Sequence, residues 1–89
     1  MEEIKDLEKI MKALANRRRL AIIKYLDKNT KATVGDIAQE IKLSFKATSK
    51  HLIILLNADI LDREQINLQM CYRLNKPLSS IVKSVLLVL

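Results

Sequence analysis

The stretch Val34-Gly35-Asp36-Ile37-Ala38-Gln39-Glu40-Ile41 carries helical patterning. After Lys42-Leu43-Ser44 a second helical pattern begins, Phe45-Lys46-Ala47-Thr48-Ser49-Lys50-His51-Leu52, and runs on past Leu55. Three residues between two helices leave room only for a tight turn, and Ser44 stands where a hydroxyl caps the second helix. At 3.6 residues per turn, Thr48, Leu52 and Leu55 share one face of that helix. Lys46 and Lys50 lie opposite, with Phe45 and Ser49 on one flank and Ala47 and His51 on the other. The run Leu52-Ile53-Ile54-Leu55-Leu56 is apolar all round, which predicts burial of the helix's second half. A helix anchored at its C-terminal end, with short polar and basic groups on its first turns, has the form of an element that enters a DNA major groove.

The flanking sequence extends this unit in both directions. Thr33 and Asp36 make a capping box for a helix over Val34 to Ile41, and the next helix spans Phe45 to Ala58. Upstream, Ile4, Leu7, Met11 and Leu14 recur at helical spacing in a first helix from Glu2 to Ala15. Asn16 caps a second helix reaching Asp27, with Leu20, Ile23 and Leu26 inward. That helix opens with Arg17-Arg18-Arg19, three cations at the positive end of a helix dipole, so a compensating partner is required. Acids of the first helix are the expected partner for at least one of them, with DNA phosphates as the alternative. Downstream the period changes: Leu68, Met70, Tyr72 and Leu74 alternate with Gln69, Cys71 and Arg73, which is strand spacing. Ile60 to Ile66 is the partner strand, with Asn67 at the turn because it tolerates positive φ. Pro77 then opens a last helix at its first position, with Leu78, Ile81, Val82, Val85 and Leu89 as its stripe. Leu86, Leu87 and Val88 widen that stripe around the helix.

The order helix, helix, helix-turn-helix, hairpin, helix predicts a mostly α fold with a small β hairpin, a winged helix-turn-helix in one domain over residues 1–89. Its helix-turn-helix covers about 34–58 and its wing about 60–74. The helices over about 2–15 and 77–89 carry more apolar surface than one small core uses, since a chain of 89 residues buries proportionally little. Ile4, Leu7, Met11, Val82, Val85, Leu86 and Leu89 are therefore expected to pair with a second copy, making a homodimer.

Charge indicates the partner. The formal net charge is +6, which favours polyanions. Its distribution is more specific: Glu2, Glu3, Asp6 and Glu8 crowd the start, whereas Ile41 to Ala58 contains no acid and carries Lys42, Lys46, Lys50 and His51. Double-stranded DNA is the expected partner, met by Lys42, Ser44, Phe45, Lys46, Ala47, Ser49, Lys50 and His51, with Arg63 of the wing. Arg73 lies further from the wing tip and is the weaker candidate. Phe45 has two open readings, contact with a thymine methyl or packing back towards Leu52. For His51, donation to a base edge stands against a structural hydrogen bond.

Five short motifs resemble the ArsR-type family of winged-helix repressors over nearly the whole chain. Ala13-Leu14-Ala15-Asn16 followed by Arg19-Leu20 is similar to the family's opening, and Asp36-Ile37-Ala38 to its D-L-A. Ser44, Ser49-Lys50-His51-Leu52 and Leu55 resemble its recognition helix. Ala58-Asp59-Ile60-Leu61 stands where the family has A-G-L-V, with Asp in place of Gly, and Tyr72-Arg73-Leu74 resembles the end of its wing. The resemblance implies a homodimeric, cytoplasmic repressor that releases its operator on a signal. The departure lies in the signal. Thr33 and Gly35 occupy the two positions of the family's metal-binding cysteines, and Pro77 to Leu89 holds no acid or His for its other metal site. No metal site and no cofactor are expected, and no effector is identified.

Other classes find less support. There is no paired-carboxylate or nucleophile constellation, and one Gly cannot make a phosphate loop, so catalysis is not expected. No apolar run reaches membrane-spanning length, and the acidic N-terminus lacks a signal-peptide pattern. Cys71 is alone, which suits a reducing compartment and the cytoplasm. A lone strand cysteine is more often a packed side chain than a redox switch. The alternatives to a repressor are a winged helix used for protein contact, because fold does not fix function, and a DNA-binding protein without an effector.

Overall fold

Side-chain caps set where the helices begin. The computed structural model describes residues 2–89, and the side chain of Glu2, one of the N-terminal acids, lies outside the described residues. Helix α1 spans Glu2–Leu14, α2 Arg17–Asn29, α3 Val34–Ile41, α4 Phe45–Asn57 and α5 Ser80–Val88. Asn16 accepts from the backbone N–H groups of Arg18 and Arg19, closing the start of α2. Thr33 and Asp36 bond reciprocally at the start of α3, and Ser44 Oγ accepts from Ala47 N–H at 3.1 Å. The turn between α3 and α4 is made by Lys42 in the left-handed conformation, φ 55°.

The sheet has one strand more than the hairpin expected. Strands β2 (Leu61–Ile66) and β3 (Gln69–Leu74) form the wing around Asn67, whose φ is 57°. A two-residue strand, β1 (Ala32–Thr33), adds to the far side of β3, pairing Ala32 with Tyr72 and Thr33 with Cys71. Its brevity explains why no alternation announces it. It ties the wing to the residue that caps α3. Asp59, where the resembling family has Gly, also adopts φ 57°, a conformation that Asp tolerates better than most residues.

The last helix departs from expectation. It starts at Ser80, and Ser79 is its cap, accepting from Val82 N–H at 3.3 Å. Pro77 precedes that cap in the connecting turn. Ser79 offers a hydroxyl acceptor to an N–H of the first turn, whereas Lys76, the residue that would cap a helix starting at Pro77, has no side-chain acceptor.

The core gathers Ala13 and Leu14 of α1, Ile22, Ile23 and Leu26 of α2, Ile37 and Ile41 of α3, Leu52 and Leu55 of α4, Ile60, the wing's Leu61, Tyr72 and Leu74, and Val82. The winged helix-turn-helix is thus built around one face of α4. Ile53 and Ile54, expected to be buried, are 51% and 41% exposed, because the core meets α4 on one side only. Thr48 is wholly buried beside Leu52 and Leu55, and its hydroxyl has no hydrogen-bond partner.

That orphan hydroxyl gives two opposed expectations. Thr48→Val keeps the shape and removes a buried unsatisfied group, and should stabilise the domain by about 1 kcal/mol or more. Thr48→Asp places a charge without a partner there and should unfold it. Urea midpoints followed by circular dichroism decide both, and a Val variant less stable than wild type would show that the hydroxyl is satisfied.

Candidate nucleic-acid interface

Helix α4 has two different faces. Thr48, Leu52 and Leu55 hold it to the body of the domain, while Lys46 and Lys50 stand exposed on the other side. Phe45 and Ser44 are exposed at its N-terminal end, Lys42 is exposed in the turn before it, and Ala47, Ser49 and His51 are half-buried on its flanks. Eight of the nine expected contact residues therefore lie on one turn and the first two turns of one helix. The ninth, Arg63, is exposed on β2.

The wing contributes less charge than its arginines suggest. Arg73 donates from Nη2 to Asp62 Oδ2 at 3.0 Å and from Nη1 to Glu64 Oε1 at 3.1 Å. Asp62 faces Arg73 across the strand pair and Glu64 lies on the diagonal, so one guanidinium is matched by two carboxylates. A backbone N–H bond from Arg63, then the Arg73 hydrogen bond and charge, hold the Asp62 carboxyl below its usual range. Arg63 alternates to the other face, and the tip carries the exposed apolar side chain of Leu68.

Two of the three arginines that open α2 are compensated by carbonyls rather than by the described acids of α1. Arg18 donates to the carbonyl of Ile41 at the C-terminal end of α3. Arg19 donates from Nε to the carbonyl of Ala13 and from Nη2 to that of Lys12, at the C-terminal end of α1. Helix C-termini carry the negative end of the dipole, so two cations at one positive end are met by two negative ends. Arg17 remains exposed. Spacing alone does not show such contacts, because the partners are backbone groups of other helices.

Arg19 also reaches α4. Its Nη1 lies 3.1 Å from His51 Nδ1. A guanidinium only donates, so Nδ1 is the acceptor and the ring proton sits on Nε2. The structural hydrogen bond is thus present at one edge of the ring, and Nε2–H is the donor left for a ligand. Burial first, then the charges of Arg19 and Arg18, lower the His51 pKa below its ordinary 6.5.

The residues expected to pair two copies divide. Ile4, Leu7 and Met11 are exposed on α1, and Leu89 is exposed at the end of α5. Val82 is a correction: at 1% exposure it fills the protomer's own core. Val85 and Leu86 are half-buried against that core. Leu87 and Val88, 87% and 83% exposed, present the larger apolar surface of α5. Among the described residues no three His, Cys, Asp or Glu side chains gather in a metal-holding group. Among the described residues no helix is long and apolar enough to cross a membrane.

Comparison with known proteins bears on the whole arrangement. The family model described as bacterial regulatory protein, arsR family, matches residues 16–63. No curated protein sequence matches the chain. Among solved structures, HlyU from Vibrio cholerae is similar with a TM-score of 0.81 at 28% identity, over 97% of this chain and 89% of that one. The transcriptional repressor PagR of Bacillus anthracis is similar with a TM-score of 0.82 at 26% identity, over 98% and 95%. A homodimeric winged helix-turn-helix DNA-binding domain, Mb0332 from Mycobacterium bovis, shares the fold with a TM-score of 0.87 at 23% identity, over 98% and 78%.

Burial of His51, with the charges of Arg19 and Arg18 beside it, sets a pH dependence. The folded ring binds its proton less readily than the unfolded one, so the His51 contribution to stability is complete above pH 6.5 and is lost as pH falls below it. Wild-type urea midpoints should decline from pH 7 to pH 5, and His51→Gln should flatten that decline while remaining folded. Arg19→Lys should cost about 1–3 kcal/mol, since one ammonium cannot hold two carbonyls and an imidazole together. An undiminished slope in His51→Gln would assign the decline to other groups.

Proposed function

The chain belongs to the arsR family of bacterial regulatory proteins, which are DNA-binding transcriptional regulators, and from that premise we infer that it is a repressor. A homodimer sets the first turns of α4 from each copy into successive major grooves of an operator. The observation that carries this reading is the division of α4: one face wholly buried at Thr48, Leu52 and Leu55, the other offering Lys46 and Lys50 with Ser49 on the flank, in a stretch of sequence without acids from Ile41 to Ala58. PagR, of similar structure, is a transcriptional repressor, which supports the direction of regulation. The reading places the protein in the cytoplasm and gives it no catalytic role. The helix-turn-helix over about 34–58 and the wing over about 60–74 form the DNA-reading part of a single domain over 1–89.

Dimerisation is part of the same proposal. Ile4, Leu7 and Met11 with Leu87, Val88 and Leu89 give α1 and α5 exposed apolar faces that water disfavours. An isologous pairing of these helices covers both faces at once. Mb0332, which has the same fold, is homodimeric. Sedimentation should find a species near twice 10.2 kDa, and Leu7→Glu with Met11→Glu should return a folded monomer. Wild type sedimenting only as a monomer would remove the interface.

Roles on α4 separate by substitution. Phosphate contacts weaken all sequences alike, whereas base contacts discriminate by about 1–3 kcal/mol. Lys42→Ala should therefore weaken binding evenly, while Ser49→Ala and Lys46→Ala should also relax sequence preference. With Lys42, Lys46, Lys50 and Arg63 on phosphates or near them, a dimer neutralises about six to ten phosphates, and affinity should fall by about 10³–10⁵ between 50 and 200 mM salt. Titration of a selected duplex across that range tests the proposal. Affinity that does not change with salt, or a double Ser49 and Lys46 variant with unaltered preference, would favour a protein-contact role.

A further inference from the structure

Phe45 is the first residue of α4, directly after the Ser44 cap, and 64% of it is exposed. It takes no part in the hydrophobic core, and of its two open readings the packing against Leu52 is not adopted. The other large exposed apolar side chains lie on α1, at the end of α5, in the second half of α4 and at the wing tip. Among these side chains Phe45 is the one on the first turns of α4, where Lys46 and Lys50 also stand, one turn before Ser49.

We propose that Phe45 reads thymine through its 5-methyl group, an assignment that rests on α4 being the major-groove helix. The first turns of such a helix are the ones that meet base edges. Phe has neither donor nor acceptor, so the amino and carbonyl groups of a base edge offer it no hydrogen bond. The thymine C5 methyl is the one apolar group that base pairs display in the major groove. A phosphate offers the ring nothing, and insertion between base steps belongs to minor-groove binders. The side chain thus gains where it covers a methyl group and excludes water from it. Lys46 and Ser49 beside it supply the polar contacts that fix its register.

The test removes the methyl alone. Bound duplexes are selected from a random library with the wild-type protein, and each thymine of the selected site is replaced in turn by deoxyuridine. Burying one methyl corresponds to about fourfold in affinity, so one position per half-site should lose about fourfold, and the symmetric pair about fifteenfold. In Phe45→Ala the same replacements should change affinity less than twofold, with an unchanged urea midpoint because the ring is exposed. Uracil replacement that is neutral throughout for the wild type overturns the proposal and leaves the major-groove reading intact. Equal sensitivity in Phe45→Ala also overturns it, since the methyl then acts through duplex shape. Selection of no sequence by the wild type overturns both readings. A Phe45→Ala variant that loses dimerisation assigns the ring to the partner copy instead.

Discussion

Arg18 and Arg19 leave the first turn of α2 in different directions and end on carbonyls of other helices. Arg18 holds the last residue of α3, and Arg19 holds the last turn of α1 and the His51 ring of α4. Hydrogen bonds to a charged group are worth more than neutral ones, and those to Ile41, Ala13 and Lys12 meet carbonyls at helix ends, which a helix leaves without partners of its own. The start of α2 is thereby registered against the ends of α1 and α3 and against the middle of α4. The hydrophobic core alone does not supply this. Apolar contact is non-directional, and aliphatic side chains permit small rotations of one helix on another. A guanidinium with fixed donor directions does not.

The consequence for α4 is that both its buried face and one flank are determined. Thr48, Leu52 and Leu55 set its depth, and the ring of His51, fixed through Nδ1, sets its rotation. What remains outward is therefore a defined arc of Lys46, Ser49 and Lys50, with Phe45 at the leading end. Discrimination between bases demands placement within fractions of an ångström, which a helix held at both its core face and its flank provides.

The sequence made most of this legible, for identifiable reasons. Caps at Asn16, Thr33 and Ser44 act through side chains on local backbone, so three residues of context suffice to read them. The alternation from Leu68 to Leu74 exposes the wing in the same way. What escaped reading depends on distant partners. Strand β1 is two residues whose existence is decided by Tyr72 and Cys71 across the sheet. The partners of Arg18 and Arg19 are carbonyls, which every residue has and no pattern marks. Ile53 and Ile54 read as buried because composition reports apolarity, whereas exposure depends on which side of α4 the other elements occupy. Val82 is the converse case: its place on the apolar stripe marks it for burial, but only the packing of α5 shows that the protomer's own core covers it rather than a second copy.

The distribution of charge makes the second copy a requirement of the proposed reading. Arg73 is matched by Asp62 and Glu64, and Arg18 and Arg19 are spent on the fold, which leaves the proposed reading face of one protomer Lys42, Lys46, Lys50 and Arg63 for phosphates. A short contact of that kind binds DNA weakly and with little preference. Joining two such surfaces rigidly makes the second contact intramolecular, so the affinities combine without any new group on α4. The exposed apolar sides of α1 and α5 are, on this reading, the means by which a domain with a short reading face reaches operator affinity. The tie from Arg19 to both the end of α1 and His51 of α4 then has a functional meaning. It fixes the reading helix against the pairing helix, so the distance between the two copies of α4 follows from how the copies pair. A signal that alters that pairing would alter the spacing, and with it the fit to two grooves one helical turn apart.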